Sequence, residues 1–215
     1  MRNDLTEIVV VVDRSGSMNS IKDDTQGAIN ALIKKQKTEP FAANFTLVQF
    51  DTEYEFVHKG EDIKNVNEYT LIPRGMTALN DALGRAIQET GERLANLPDR
   101  DRPGLVAFFV ATDGFENSSK EYTKEQVAKM VKHQKEKYNW QFTFFGADID
   151  GIKEGAGYGV HVNSSVSYSK GQTVRAFNMY SDKLSAVRTI LANSGILCAE
   201  EFDYSETERK ELQHS

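Results

Sequence analysis

The chain has 215 residues, 39% of them hydrophobic and 27% charged, which is enough for one folded domain with a full core and excludes a disordered protein. A formal charge of −6 argues against general nucleic-acid binding, which draws on an excess of Lys and Arg, and is compatible with binding cations. The single cysteine, Cys198, excludes an internal disulfide and a cysteine-based zinc site, and no apolar run is long enough to insert in a membrane.

The lone thiol and the lack of a secretory apolar region after Met1 predict a cytoplasmic protein. The β-branched run Ile8-Val9-Val10-Val11-Val12 predicts a first strand over 7–13, buried on both faces as in a parallel sheet. Burial stops at Asp13, and Ser15, Gly16 and Ser17 follow at once. Residues 20–37 read as a helix, because Ile21, Ala28, Ile29, Leu32 and Ile33 repeat at three-and-four spacing. Lys34, Lys35 and Lys37 suit its C-terminal dipole, and Pro40 stops it. A second strand over 44–51 and an alternating segment over 54–58 form a hairpin, which predicts one antiparallel edge strand.

Residues 61–76 read as a polar connection that leads to Thr77. The next helix covers roughly 78–97, with a stripe of Leu79, Ala82, Leu83, Ala86, Ile87, Leu94 and Leu97. A doubly buried strand over 105–112 again ends in an acid, Asp113. Thr123 and Gln126 have the spacing of a capping box, opening a helix to about 137. A strand over 140–145, a short helix and turn over 151–159, a weak strand near 160–166 and a last helix over 171–192 complete the domain. The reading is therefore one domain over 1–195 and a charged, loose tail over 196–215.

Strands alternate with helices, so the predicted fold is α/β: a doubly wound, Rossmann-like, mainly parallel sheet with helices on both faces. That winding places the first strand beside the strand over 105–112 at the topological switch point, where such sheets bind ligands. Asp13, Ser15, Ser17, Thr77 and Asp113 then lie on loops at one sheet edge, an oxygen-rich set of the kind hard cations require.

Asp13-Arg14-Ser15-Gly16-Ser17, then Gly75-Met76-Thr77-Ala78-Leu79-Asn80-Asp81-Ala82-Leu83, then Thr112-Asp113-Gly114 resembles the von Willebrand factor A domain (vWA), over about residues 7–190. The resemblance implies a metal-ion-dependent adhesion site (MIDAS) for Mg²⁺, with Mn²⁺ accepted. By the same resemblance Ser15 and Ser17 bind metal through their hydroxyls. Thr77, Asp13 and Asp113 act directly or through water. The remaining ligand is expected from a Glu or Asp of a protein partner, in a standalone prokaryotic or phage member without catalysis of its own.

An alternative is a Mg²⁺-dependent hydrolase or phosphoryl-transfer enzyme with Asp13 as nucleophile. Such enzymes want a second acid two residues on, where this chain has Ser15, and a seryl hydrolase needs a base beside Ser15 or Ser17. Asp81 reads as a solvated or supporting acid, Glu116 and Asn117 as rim residues, and Asp51 as the start of the hairpin turn. Asp148, Asp150 and Glu154 miss calcium-loop spacing, and Gly155, Gly157 and Gly159 do not join a strand to a helix as a dinucleotide site must.

Overall fold

Alternation along one strand divides the molecule into two cores. The structure, a computed structural model, describes residues 1–197 and 199–213, so Cys198 lies outside the described residues. Strand β1 (Arg2–Asp13) sends Ile8, Val10 and Val12 into one apolar cluster and Val9 and Val11 into another. Successive side chains of a strand face opposite ways, so both faces of β1 must be covered.

The other strands are β2 (Ala42–Phe50), β3 (Tyr54–Asp62), β4 (Pro103–Thr112), β5 (Gln141–Ala147) and β6 (Ser165–Tyr168). Their order is β3-β2-β1-β4-β5-β6, with β3 antiparallel to β2 and every other pairing parallel. The expected mainly parallel sheet with one antiparallel edge strand is thus observed. Helices α1 (Lys22–Thr38) and α5 (Thr173–Ser194) cover the face of Ile8, Val10 and Val12. The opposite face is covered by α2 (Leu79–Ala95) and α3 (Lys124–Tyr138), with Tyr158 just past the short helix α4 (Gly151–Gly157). The Thr123–Gln126 capping box is formed at the start of α3.

Adjacent β1 and β4 end together. Val12 pairs with Ala111, so Asp13 and Asp113 leave the sheet at neighbouring strand ends, the switch-point crevice of this topology.

Three stretches differ from the sequence expectation. The 61–76 connection is not simply polar, because Val66, Tyr69 and Leu71 are buried. Asn30 exchanges two hydrogen bonds with the Tyr69 backbone, and Gln26 accepts from the Leu71 N–H, which sews this non-periodic segment onto α1. The weak strand expected near 160–166 forms later, as β6, after a 3-10 turn over Val162–Ser164 takes up the first residues. The segment after 196 was expected to be loose, yet its isolated apolar residues Phe202, Tyr204 and Leu212 enter the main core. Leu212 belongs to helix α6 (Glu206–Gln213), which Lys183 holds through Glu208 at 2.8 Å. Charged composition concealed this segment because only a few apolar anchors carry its packing.

If α6 is an integral part of the core, Leu212→Ala lowers the free energy of unfolding by about 2–4 kcal/mol in a urea titration. A loss below about 0.5 kcal/mol, the range of a surface substitution, contradicts the packing described here.

Candidate metal site

The site is built from three loops joined by backbone hydrogen bonds. After β1, the Arg14 N–H donates to the Phe50 carbonyl at 2.7 Å, extending the ladder by one bond. The Arg74 N–H then donates to the Arg14 carbonyl at 2.7 Å and the Gly16 N–H to the Gly75 carbonyl at 3.2 Å, which ties the loop after β1 to the loop before α2. Gly75 has φ +69, in the left-handed region where a side chain is strained, and a Cβ there would stand 3.2 Å from the Cβ of Asp51. Asn117 ties in the loop after β4. Its N–H donates to the Thr77 carbonyl at 3.0 Å and its Oδ1 accepts the Thr77 N–H at 2.9 Å.

The five sequence candidates meet on this scaffold. Ser15 and Ser17 hydroxyls lie 3.0 Å apart, and Ser17 Oγ donates to Asp113 Oδ1 at 2.5 Å. Asp13 Oδ1 accepts the Ser15 N–H at 2.6 Å, and its Oδ2 accepts the Thr112 hydroxyl at 2.6 Å. Gly114 locates the point of convergence: a Cβ there would stand 3.3 Å from Thr77 Oγ1, 3.6 Å from Ser17 Oγ and 3.8 Å from Asp13 Oδ2. Glycine leaves that point free, a cradle with three oxygens within 3.8 Å.

Burial gives these oxygens their electrostatic character. Asp13 is fully buried, and burial, with a smaller contribution from the charge of Asp113, pushes its pKa up to about 6 against the hydrogen bonds of Thr112 and Ser15. Asp113 Oδ2 is buried and receives no hydrogen bond. Lys170 Nζ stands 2.9 Å from it, near enough for an ion pair but without hydrogen-bond alignment. An ionisable acid in a dry site beside a second, under-satisfied acid is a fit for a cation. Among the described residues no three His, Cys, Asp or Glu side chains are grouped to hold a metal, so a cation here depends on hydroxyls as well as on the two acids.

Sequence reasoning missed several supporting residues. Asp51 starts the hairpin turn as expected, accepting the Glu53 N–H at 2.6 Å, but it also accepts Arg14 Nε at 2.9 Å and Arg74 Nε at 2.8 Å. Burial alone would raise the Asp51 pKa. The hydrogen bonds of Arg74 and the Glu53 N–H, with the charges of Arg14 and Arg74, outweigh it and hold the carboxyl below its usual range. This buried acid clamps Arg14, next to Asp13, and Arg74, three residues before Thr77. Asn117, expected on the rim, holds Thr77 itself, and Glu116 accepts the Asn80 N–H at 2.8 Å in the first turn of α2. Asp81, expected as a solvated or supporting acid, accepts the backbone N–H groups of Lys120, Glu121 and Tyr122. The Arg14–Asp51–Arg74 cluster had no local signal in the sequence. Its members are separated by tens of residues and are joined only when β2 docks on β1.

The profile of the von Willebrand factor type A domain matches residues 7–154. No curated protein sequence gives a match. Proximal thread matrix protein 1 of the mussel byssus superposes with a TM-score of 0.61 at 18% identity, covering 84% of this chain and 46% of that one. Another structure of that byssus protein carries a zinc-occupied MIDAS motif. Manganese-loaded TRAP of Plasmodium vivax gives a TM-score of 0.57 at 17% identity, over 81% of this chain and 72% of that one. The pilus adhesin SpaC of Lactobacillus rhamnosus GG gives 0.64 at 12%, over 84% of this chain and 30% of that one. The chain thus spans less than half of the byssus protein and of SpaC, and at these identities the likeness concerns the fold. With the family profile covering more than half of its residues on this sheet topology, the chain belongs to the von Willebrand factor type A domain family.

Proposed function

We propose that this chain is a metal-dependent protein-binding module. In this reading Ser15, Ser17 and Thr77 hydroxyls and the Asp13 and Asp113 carboxylates hold Mg²⁺, with Mn²⁺ also accepted, and a partner's Glu or Asp carboxylate completes the site. The observation that carries the reading is the cradle at Gly114, where Thr77, Ser17 and Asp13 oxygens lie within 3.8 Å of one point. The ion would contribute positive charge and an open coordination position, and hard-oxygen sites of few carboxylates leave such a cation able to recruit another anion. Zinc and manganese in the MIDAS motif of the byssus protein and in TRAP support a divalent ion in this chain.

The residues divide the work. Asp13 and Asp113 supply charge from two neighbouring strand ends, and Ser15 and Ser17 supply neutral oxygens from a turn held by the Asp13 carboxylate itself. Thr77 is presented from the other side by Asn117. The rim suits a protein surface, because Met76 beside Thr77 and Phe115 beside Gly114 are exposed large apolar side chains, projecting from two loops that Asn117 binds together. Such apolar exposure next to a polar centre is a common feature of binding surfaces. The engagement of both Asp13 oxygens by Ser15 and Thr112 supports a holding role for this acid over a nucleophilic one.

A screen of Glu- and Asp-containing peptides in Mg²⁺ and in EDTA tests the reading. Peptides retained in Mg²⁺ are released by EDTA, and Asp113→Ala retains none while keeping its circular dichroism spectrum. Retention independent of Mg²⁺, or Mg²⁺-dependent phosphatase turnover abolished by Asp13→Asn, contradicts it.

The Asp13 pKa adds a pH prediction. A carboxyl at about 6 when folded and near 3.8 when unfolded binds protons more tightly in the fold, so without a cation stability falls as pH rises through this window. The full penalty above pH 6 is about 3 kcal/mol, from roughly 1.36 kcal/mol per pH unit. In EDTA at pH 7, Asp13→Asn therefore melts higher than the unsubstituted protein, and the gap closes as pH approaches 4. Mn²⁺ reverses the order at pH 7 by stabilising only the protein that keeps Asp13. A lower melting temperature for Asp13→Asn in EDTA at pH 7 runs against this account.

A further inference from the structure

We propose that Lys170 is the chain's own competitor for the cation, an ammonium that neutralises Asp113 and so sets how tightly the site takes a divalent ion. The inference rests on the docking reading and adds an affinity-determining residue that lies outside all three loops of the site.

Lys170 Nζ stands 2.9 Å from Asp113 Oδ2, where the Asp113 side chain is fully buried and the lysine side chain is 29% exposed. The ammonium supplies charge to that oxygen without an aligned hydrogen bond, so Oδ2 keeps an unsatisfied acceptor within the site. The position of Lys170 is fixed by its backbone. Its N–H donates to Asp148 Oδ1 at 3.0 Å, and its carbonyl accepts the Thr173 hydroxyl at 2.7 Å. Ser169 just before it donates its N–H to the Leu212 carbonyl at 2.9 Å, so the α6 segment also holds this turn. Asp148 sits at φ +53, a left-handed backbone rare for a non-glycine residue. Three segments, the loop after β5, α5 and α6, thus hold the turn that brings one lysine from the β6 edge to an acid at the end of β4.

Charge accounting gives the consequence. Asp13, Asp113 and Lys170 together carry one net negative charge, and a divalent cation turns the set positive by one. One partner carboxylate then brings it to neutrality. Without the lysine the loaded set would already be neutral. Because the ammonium and the cation are like charges drawn to the same carboxylate in a poorly screened site, Lys170 weakens the cation's hold while leaving the loaded site attractive to an anion.

The test uses the intact chain with Lys170→Met and Lys170→Arg. Mn²⁺ is titrated by the electron paramagnetic resonance signal of the free ion, and melting is followed in EDTA and in saturating Mn²⁺. Lys170→Met binds Mn²⁺ about tenfold or more tightly than the unsubstituted protein, while Lys170→Arg stays within about threefold. Lys170→Met melts lower in EDTA, where Asp113 has lost its counter-charge, and higher in Mn²⁺. This change of sign separates the proposed role from a merely structural one. Unchanged or weaker Mn²⁺ binding by Lys170→Met, or a lower melting temperature in both conditions, overturns the inference and leaves the docking reading standing. Failure of the unsubstituted protein and both variants to bind Mn²⁺ overturns both.

Discussion

Two carboxylates, Asp13 and Asp113, are held beside each other at the ends of neighbouring strands, shielded from water, and the surrounding structure is arranged to tolerate that. Like charges so close repel, and burial disfavours ionising Asp13. The fold answers with a Ser15 N–H and a Thr112 hydroxyl on Asp13, and a Ser17 hydroxyl and the Lys170 ammonium on Asp113. The Thr112, Ser17 and Lys170 contacts each join residues far apart in the chain, so the arrangement exists only in the completed sheet.

The sheet makes the juxtaposition possible, and a second charge cluster makes it rigid. β1 contributes apolar side chains to both cores, so its position and register are determined on both faces, and Asp13 is fixed with them. Behind the site, Asp51 holds Arg14 and Arg74, and these residues flank the segments that carry Asp13 and Thr77. Removing the buried Asp51 takes a carboxylate from both guanidiniums at once, leaving Arg14 with Glu55 and Arg74 with Glu53. Site geometry and fold stability are therefore coupled at the same three loops.

Much of the architecture was legible because its signals are local. The run from Ile8 to Val12, the apolar stripe of α2 and the Thr123–Gln126 cap each specify an element on their own, and alternation of strands and helices then leaves few topologies. The five oxygen-bearing side chains were legible for a different reason: each follows a strand end or precedes a helix, where a polar residue after an apolar run stands out. Their convergence is geometric and is present in the structure. The unread parts rely on long-range pairing. Lys170 is one charged residue among many until β6 and α5 set it against Asp113. Phe202, Tyr204 and Leu212 are too sparse in a charged segment to form a period, yet each is buried.

The central claim is that the five oxygens surround one divalent cation with an open position toward solvent. Anomalous diffraction from a crystal soaked in Mn²⁺ tests it most directly. The account predicts a single strong peak in the cradle beside Gly114, at about 2 Å from the Ser15 and Ser17 hydroxyls, a distance typical of small hard cations with oxygen ligands. A peak elsewhere with this cradle empty, or a cation enclosed by protein on every side, would contradict it.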